Sequence, residues 1–445
     1  MIYYLYIPFI ARILKTYRLY YFAIVLVLIC SQQGMTQSID SLKDRITSQQ
    51  ALIESLRYTE LVQSMSQRSL LMPSYQAELK ALVAKQAYDF WKDSDETYVS
   101  HLNMYLALYY ANKYLDDEVS FNQAIGHSES VVSIQFGNDP NIFYSAGSDG
   151  KVLRWNLSKL DELPTVVYQG PHLIRSIDLS HDGKWILVVT RDKGVALVAL
   201  EDLLSESGGV AFDPEPVQSA VFFPNELKYL TVNDEGVLKI KGYAADIPSP
   251  GTVQSRVNAL AIKPDNEDIY AGLQQGDVVI FGKDGVDQIE GKDHYAINAL
   301  DISSDQKLLI IGRELGDALI WDIEKKKVIR TISGHQSAVT DVDFHPYENT
   351  VLTASRDGTV KIWDIHDPKK LPQVLDDHLS WVLTASFDPS GNKVISGSSD
   401  NFIRVWPIDP AVLAQRICEM IDRNLTIEEW VEYVGPTIPY TKTCD

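Results

Sequence analysis

The sequence predicts an all-β propeller of seven blades, preceded by a small α-helical segment and a hydrophobic N-terminal leader. Three observations predict it. From Val119 onward, short β-type runs are punctuated by Asp-Gly, Asn and Pro-Asp turns. The runs repeat with a period of about 40–43 residues, a spacing typical of stacked four-stranded units. About seven such units fit before Ile408, within the usual four to eight blades of a ring. The chain divides into 1–36, a signal peptide or membrane anchor; 37–117, a helical stalk or linker; 118–408, the propeller; and 409–445, a helical tail.

The leader is read first. Arg12, Lys15 and Arg18 precede the uncharged run LYYFAIVLVLI (Leu19 to Ile29), and polar residues follow it. A basic flank, an apolar core and a polar exit are the parts of an export signal. The run is shorter than the roughly 20 residues that span a bilayer comfortably. Gly34 and Thr36 make a poor cleavage pair, so an uncleaved anchor stays open beside a cleaved signal. Cys30 follows Ile29, where lipid attachment needs a small residue. The expectation is an exported chain, periplasmic or at the cell surface, touching the membrane only through this leader.

From Ser38 the pattern turns helical. Ile39, Leu42, Ile46, Ile53 and Leu56 follow a 3-4 spacing that Gln49 and Glu60 interrupt. This fits one long amphipathic helix, either a stalk packed on the next domain or a coiled coil; the oligomeric state stays open. Pro73 and Ser74 break the chain. A second helix is expected over Tyr75 to Trp91 and a third over Tyr98 to Leu115, packed antiparallel through short connections.

The clearest repeat is GHQSAVTDVDFHPYENTVLTASRDGTVKIWDI, Gly334 to Ile365. Within it VTDVDFH alternates inward apolar and outward polar residues, as a half-buried strand does. Pro346 and Asn349 suit a turn, TVLTAS is a second strand, and Asp357-Gly358 closes a tight hairpin before TVKIWDI. Close relatives run from Gly126 to Leu157 and from Asp377 to Ile408, and a fourth from Asp293 to Ile323. Three weaker units, centred on Arg175 to Leu200, Gln218 to Tyr243 and Val257 to Gly282, keep the strand–turn–strand pattern without the Gly-His and Trp-Asp markers. One sheet of this size cannot bury both faces, so neighbours must stack around a ring.

On these residues the chain resembles the WD40 family over roughly Val119 to Ile408. The resemblance implies that each blade's outer strand precedes the next Gly-His. The last unit then lacks one, and VSFNQAI (Val119 to Ile125) is placed to supply it. The tail from Ile417 to Cys444 and the segment Leu79 to Trp91 resemble those of bacterial WD-repeat proteins related to STAND-type NTPase–propeller proteins. No G-x-x-x-x-G-K-[ST] phosphate loop is present, so that NTPase module is absent from this sequence.

His127 with Ser145, Asp149 and Trp155, and His335 with Ser355, Asp357 and Trp363, look like nucleophile–base sets; His378, Asp400 and Trp406 repeat the pattern. A catalytic triad is needed once, whereas these recur with the repeat. The family resemblance implies a buried hydrogen-bond network that braces the blade. Acidic turns at Asp182, Asp265, Asp305 and Asp388 lack the spacing of a calcium loop, and no H-E-x-x-H occurs. No catalytic, metal or cofactor residue is assigned.

A net charge of −20, from 40 basic and 60 acidic residues, disfavours nucleic acid as a partner. The expected function is a non-catalytic scaffold that binds a protein or peptide on the propeller rim. A sensor or enzyme using the central channel is the alternative. Arg356, beside the turn Asp of the sixth unit, and Trp381, where the aligned units have Ala338 and Ser130, are the partner-binding candidates, being of the types enriched at interaction hot spots. In the tail, Cys418 and Cys444 are expected to form a disulfide in an oxidising compartment, with two free buried thiols as the alternative. Thr426 between them can cap a short helix.

Overall fold

Among the described residues, runs of β-branched and aromatic residues separated by turns form 28 strands in seven four-stranded antiparallel sheets. The computed structural model describes residues 36–92, 102–116, 121–192, 194–200, 210–242, 246–291 and 293–444. Blades 1 to 6 are sequential meanders over 131–169, 174–213, 219–252, 257–289, 297–333 and 339–376. Blade 7 takes Val382–Phe387, Lys393–Ser398 and Ile403–Pro407 from the end of the ring, and Gln123–Ala124 from its beginning. The leader lies outside the described residues. Among the described residues no helix is long and apolar enough to cross a membrane.

The closing strand is shorter than VSFNQAI. Gln123 and Ala124 pair with Arg404 and Ile403, and the Asn122 carbonyl accepts from the Val405 N–H at 3.1 Å. Asn122 itself sits at φ 64°, a left-handed turn that ends regular pairing there. The ring is still joined by the two ends of its own sequence.

The core lies between blades rather than inside one sheet. Ile142, Tyr144 and Val152 of blade 1 pack against Ile177, Val188 and Ala196 of blade 2. Ile310 and Ile320 of blade 5 meet Val342, Phe344 and Trp363 of blade 6. The alternation in VTDVDFH is therefore not core against solvent. Val342 and Phe344 face blade 5, while Asp341 and Asp343 accept backbone N–H groups from blade 7. Both faces of a blade are covered, so a polar residue there needs a partner on its neighbour.

The helices are α1 (Thr36–Leu71), α2 (Ala77–Lys92) and α3 (Leu102–Leu115), with a 3-10 turn at Ser74–Gln76. Gln49 and Glu60 do not break α1. Tyr75 falls in the 3-10 turn, and Tyr98 lies outside the described residues. The chain divides into two units, Met1–Tyr58 and Thr59–Asp445. In the second, Lys80 is 1% exposed, and its ammonium donates to the carbonyls of Leu70 and Met72 at 3.2 and 3.1 Å. It thus satisfies acceptors left over at the end of α1.

The tail adds α4 (Pro410–Met420) and α5 (Ile427–Tyr433). Asp409 caps the first through the Ala411 N–H. Thr426 and Glu429 form a reciprocal capping box on the second. Cys418 and Cys444 are disulfide-bonded, with Cα atoms 5.4 Å apart. Beside the bond, Thr443 donates to Gln86 at 2.8 Å, and Trp430 meets Phe90 edge-on at 6.0 Å. The tail is fastened to α2.

Candidate functional site

Three blades carry the same chain of four side chains. In blade 1 the Trp155 indole N–H donates to Ser145 Oγ at 2.7 Å, Ser145 meets His127 Nε2 at 2.8 Å, and His127 Nδ1 meets Asp149 at 3.1 Å. In blade 7 Trp406, Ser396, His378 and Asp400 repeat this at 2.8, 2.7 and 3.0 Å. In blade 6 Trp363, Thr353, His335 and Asp357 do so at 2.9, 2.7 and 2.8 Å. The hydroxyl in blade 6 is thus Thr353 and not Ser355. Ser355 lies two residues further on and donates to the Ser337 carbonyl at 3.1 Å, bracing the hairpin instead. A strand turns its side chain over at every residue, and the network selects the position ten residues before the tryptophan, occupied by Ser145, Thr353 and Ser396.

The direction of each bond is fixed. Ionised aspartate only accepts, so it takes the proton on Nδ1. Nε2 then accepts from the hydroxyl, whose oxygen is left to accept from the tryptophan. Burial lowers the pKa of His127 and His378 below the ordinary histidine value, which keeps both rings neutral near pH 7. Asp400 titrates at about 2: burial opposes this, but His378 and the backbone N–H groups of Leu379 and Phe402 outweigh it. Ser145 and Ser396 are wholly buried and already hold two partners each. Buried and doubly partnered, these hydroxyls are spent on bracing the loops. The glycine before His127 and the one before His335 have a packing reason. A Cβ at Gly126 would lie 2.8 Å from the Trp155 ring, and one at Gly334 2.9 Å from the Trp363 ring.

Blade 7 has Asp377 where those glycines stand. Its carboxylate takes Arg404 and Lys113 at 2.6 Å each and the Tyr109 hydroxyl at 2.9 Å, while Tyr109 stacks on Trp406 at 5.0 Å. The departure from glycine is a docking point for α3. Nothing in the repeat pattern announced it, because Tyr109 and Lys113 come from a helix more than 260 residues earlier.

The loops braced by the histidines form one rim of the ring, and Arg356 and Trp381 meet there. The Arg356 guanidinium lies 5.5 Å from the Trp381 ring centroid, and it pairs with Glu314 of blade 5 at 3.0 Å. Trp381 is 54% exposed and Leu379, two residues before it, 86%. Arg356 and Glu314 occupy the same hairpin position in adjacent blades, so the ion pair crosses the blade boundary and holds the guanidinium over the indole.

Along the channel, carboxylates that sequence reading passed over tie blades together. Asp178 accepts from the Phe222 N–H at 2.6 Å, Asp301 from Phe344 at 2.8 Å, Asp341 from Ala385 at 3.0 Å and Asp343 from Phe387 at 2.7 Å. Burial raises them: Asp178 to about 7, Asp341 to about 6, with Asp301 and Asp343 also shifted upward, Asp343 further by its neighbour Asp301. Among the described residues no group of three or more histidine, cysteine or carboxylate side chains could hold a metal ion.

A family model described as "WD domain, G-beta repeat" matches residues 120–156, 326–364 and 369–407, spans that contain all three tryptophan–hydroxyl–histidine–aspartate sets. The chain carries WD40 repeats on a seven-bladed propeller. Its relatives are WD-repeat proteins. It is 22% identical over 253 residues to the 66 kDa stress protein of Physarum polycephalum, covering 55% of this chain and 41% of that one. It is 21% identical over 242 residues to the serine-threonine kinase receptor-associated protein of Gallus gallus, covering 54% and 68%. A shorter stretch of 113 residues is 31% identical to the WD repeat domain-containing protein 83 homolog of Dictyostelium discoideum, covering 24% and 34%. This WD40 propeller thus spans less than half the length of the first of these relatives and about a third of the last.

Proposed function

We propose that this WD40 chain is a non-catalytic scaffold that holds a protein or peptide partner on the rim of blades 5 to 7. The observation that carries the reading is the exposed Leu379–Trp381 surface with Arg356 fixed over it by Glu314. Such a patch offers apolar area with a charged, pre-oriented donor at its edge, the composition of an interaction hot spot. The His–hydroxyl sets favour the same reading, since they are buried and spent on bracing the loops that present the patch. The test is the double variant Arg356→Ala with Trp381→Ala, assayed by pull-down from native extract. Trp381 is more than half exposed, and Arg356 reaches the surface and pairs only with the exposed Glu314, so the variant keeps its melting temperature. Partner affinity drops roughly thirtyfold or more. A folded variant that recovers every partner at wild-type level overturns the assignment.

The same proposal places the chain outside the cytoplasm, exported to or anchored at the cell envelope. The basic-flanked apolar leader supports it, and so does the Cys418–Cys444 bond, which suits an oxidising compartment. Protease added to intact cells degrades an exported propeller at the surface, and osmotic release of the periplasm frees one held there. Retention with cytosolic markers in both assays contradicts the placement.

A further inference from the structure

In six blades the inner strand slips register by one residue near its start. The extra residue is Val132, Arg175, Asn258, Asn298, Thr340 or Leu383, in blades 1, 2, 4, 5, 6 and 7. A bulge of this kind re-aims a side chain. In blades 4, 5 and 6 the re-aimed group clasps the next blade. Asn258 donates to the Ile297 carbonyl at 3.1 Å, Asn298 to Val339 at 3.0 Å and Thr340 to Val382 at 2.7 Å. Val132 and Leu383 are apolar, while blades 2 and 3 carry polar groups there that clasp nothing. Arg175 stands at the bulge of blade 2, and its Nε is buried without a partner. Gln218 stands at the corresponding place in blade 3. It is 6% exposed, and its side-chain oxygen is also without a partner. Two buried polar atoms, a donor and an acceptor, are thus left open on adjacent blades at the mouth of the channel, where each would cost free energy if nothing met it.

Two more arginines stand on the same rim, in blades 2 and 4. Arg191 occupies in blade 2 the hairpin position that Arg356 holds in blade 6, and Arg256 precedes the inner strand of blade 4 where Trp381 precedes that of blade 7. Both are exposed. Burial first, then the positive charge of Arg256, lowers the pKa of Arg175. Asp234 and Asp192 act the other way, and Arg191 adds to the lowering. Around Arg175, Arg256 and Arg191 thus concentrate positive charge that Asp234 and Asp192 partly offset, in a chain whose net charge is −20.

We propose that Arg175, Arg191, Arg256 and Gln218 form a second subsite on the rim, over blades 2 to 4, which receives a carboxylate of a bound peptide. The planar guanidinium suits the two oxygens of a carboxylate, and a peptide N–H beside it supplies the donor that Gln218 lacks. The inference rests on the reading that the rim binds peptides, but it uses a different arc from Arg356 and Trp381.

The test titrates the full chain with a rhodamine-labelled Gly–Ser peptide carrying one central glutamate, read by anisotropy, beside versions with glutamine or phosphoserine at that place. The glutamate peptide binds, and added salt weakens it. The glutamine version binds at least about tenfold more weakly, and Arg175→Gln and Arg256→Gln each cost about tenfold, the scale of one charge-assisted hydrogen bond. Arg356→Ala with Trp381→Ala leaves this affinity unchanged, so the two readings fail separately. Equal binding of the glutamate and glutamine peptides overturns the subsite. So does wild-type affinity in both arginine variants at unchanged melting temperature. Tighter binding of the phosphoserine version overturns its assignment to a carboxylate.

Discussion

Single carboxylates in this propeller act in two opposite senses, and pH separates them. Asp149, Asp357 and Asp400 hold a histidine N–H and backbone N–H groups in their blades, and all three are depressed below the usual aspartate range. Their contribution to stability is complete above the ordinary aspartate pKa of about 4 and is lost only as pH falls toward the folded value, about 2 for Asp400. Asp178 and Asp341 are raised, to about 7 and about 6. Their folded forms bind protons more tightly than the unfolded chain does, so their contribution is full below about pH 4 and is lost as pH climbs through 6 to 7. Asp178→Asn keeps an oxygen that accepts the Phe222 N–H and removes the charge. Thermal melts from pH 5 to 8 should show the wild type losing stability with rising pH and the variant losing less. A variant with the same pH slope as the wild type contradicts the assignment. In the bracing network, Ser396→Ala leaves the Trp406 N–H and His378 Nε2 without their shared partner and costs about 1–3 kcal/mol, measured by urea unfolding. Ser355→Ala, which touches no histidine, costs less.

At the scale of the element, the strands and hairpins were legible because Val/Ile-rich runs and Asp-Gly turns are local signals, and seven repetitions average out local error. The tail helix beginning after Thr426 was legible for the same reason: a capping box needs only four consecutive residues. What was illegible depends on distant partners. Thr353, not Ser355, completes the blade 6 network, and one comparison shows it: both Ser145 and Ser396 lie ten residues before their tryptophans. Asp377 looks like a degenerate repeat position until α3 brings Tyr109 and Lys113 to it. Asp341 and Asp343 look solvent-facing until the next blade is in place. Arg356 and Trp381 fall between these cases, since an exposed position on adjacent loops can be read from repeat alignment, but the Glu314 pairing that orients them cannot. Two element-scale tests follow. Cys444→Ser opens a loop of 26 residues and costs on the order of 3 kcal/mol by chain entropy, seen as a lower melting temperature. Intact mass of the native chain rises by two protons' worth on reduction; no rise means free thiols. Deleting 118–126 removes the strand that pairs with Ile403 and Arg404 and lowers the melting temperature sharply, and an unchanged melt contradicts closure by that strand.

At the scale of the molecule, rigidity and presentation come from the same arrangement. Hydrophobic layers between blades, carboxylate-to-backbone ties across their boundaries and the α3 clasp on Asp377 fix the ring, so the rim loops are held in place before any partner arrives. On the proposed reading, a partner at the rim binds without ordering those loops, which lowers the entropic cost of association. The opposite end of the ring carries the turns between first and second strands, including Tyr347, which is 78% exposed. A photo-reactive phenylalanine analogue placed at Leu379 or at Tyr347 in the full chain compares the two ends in its native cells. The account predicts that irradiation links the Leu379 chain, and not the Tyr347 chain, to a protein partner. The link should vanish when Arg356→Ala and Trp381→Ala are added. Crosslinking from Tyr347 alone would contradict it.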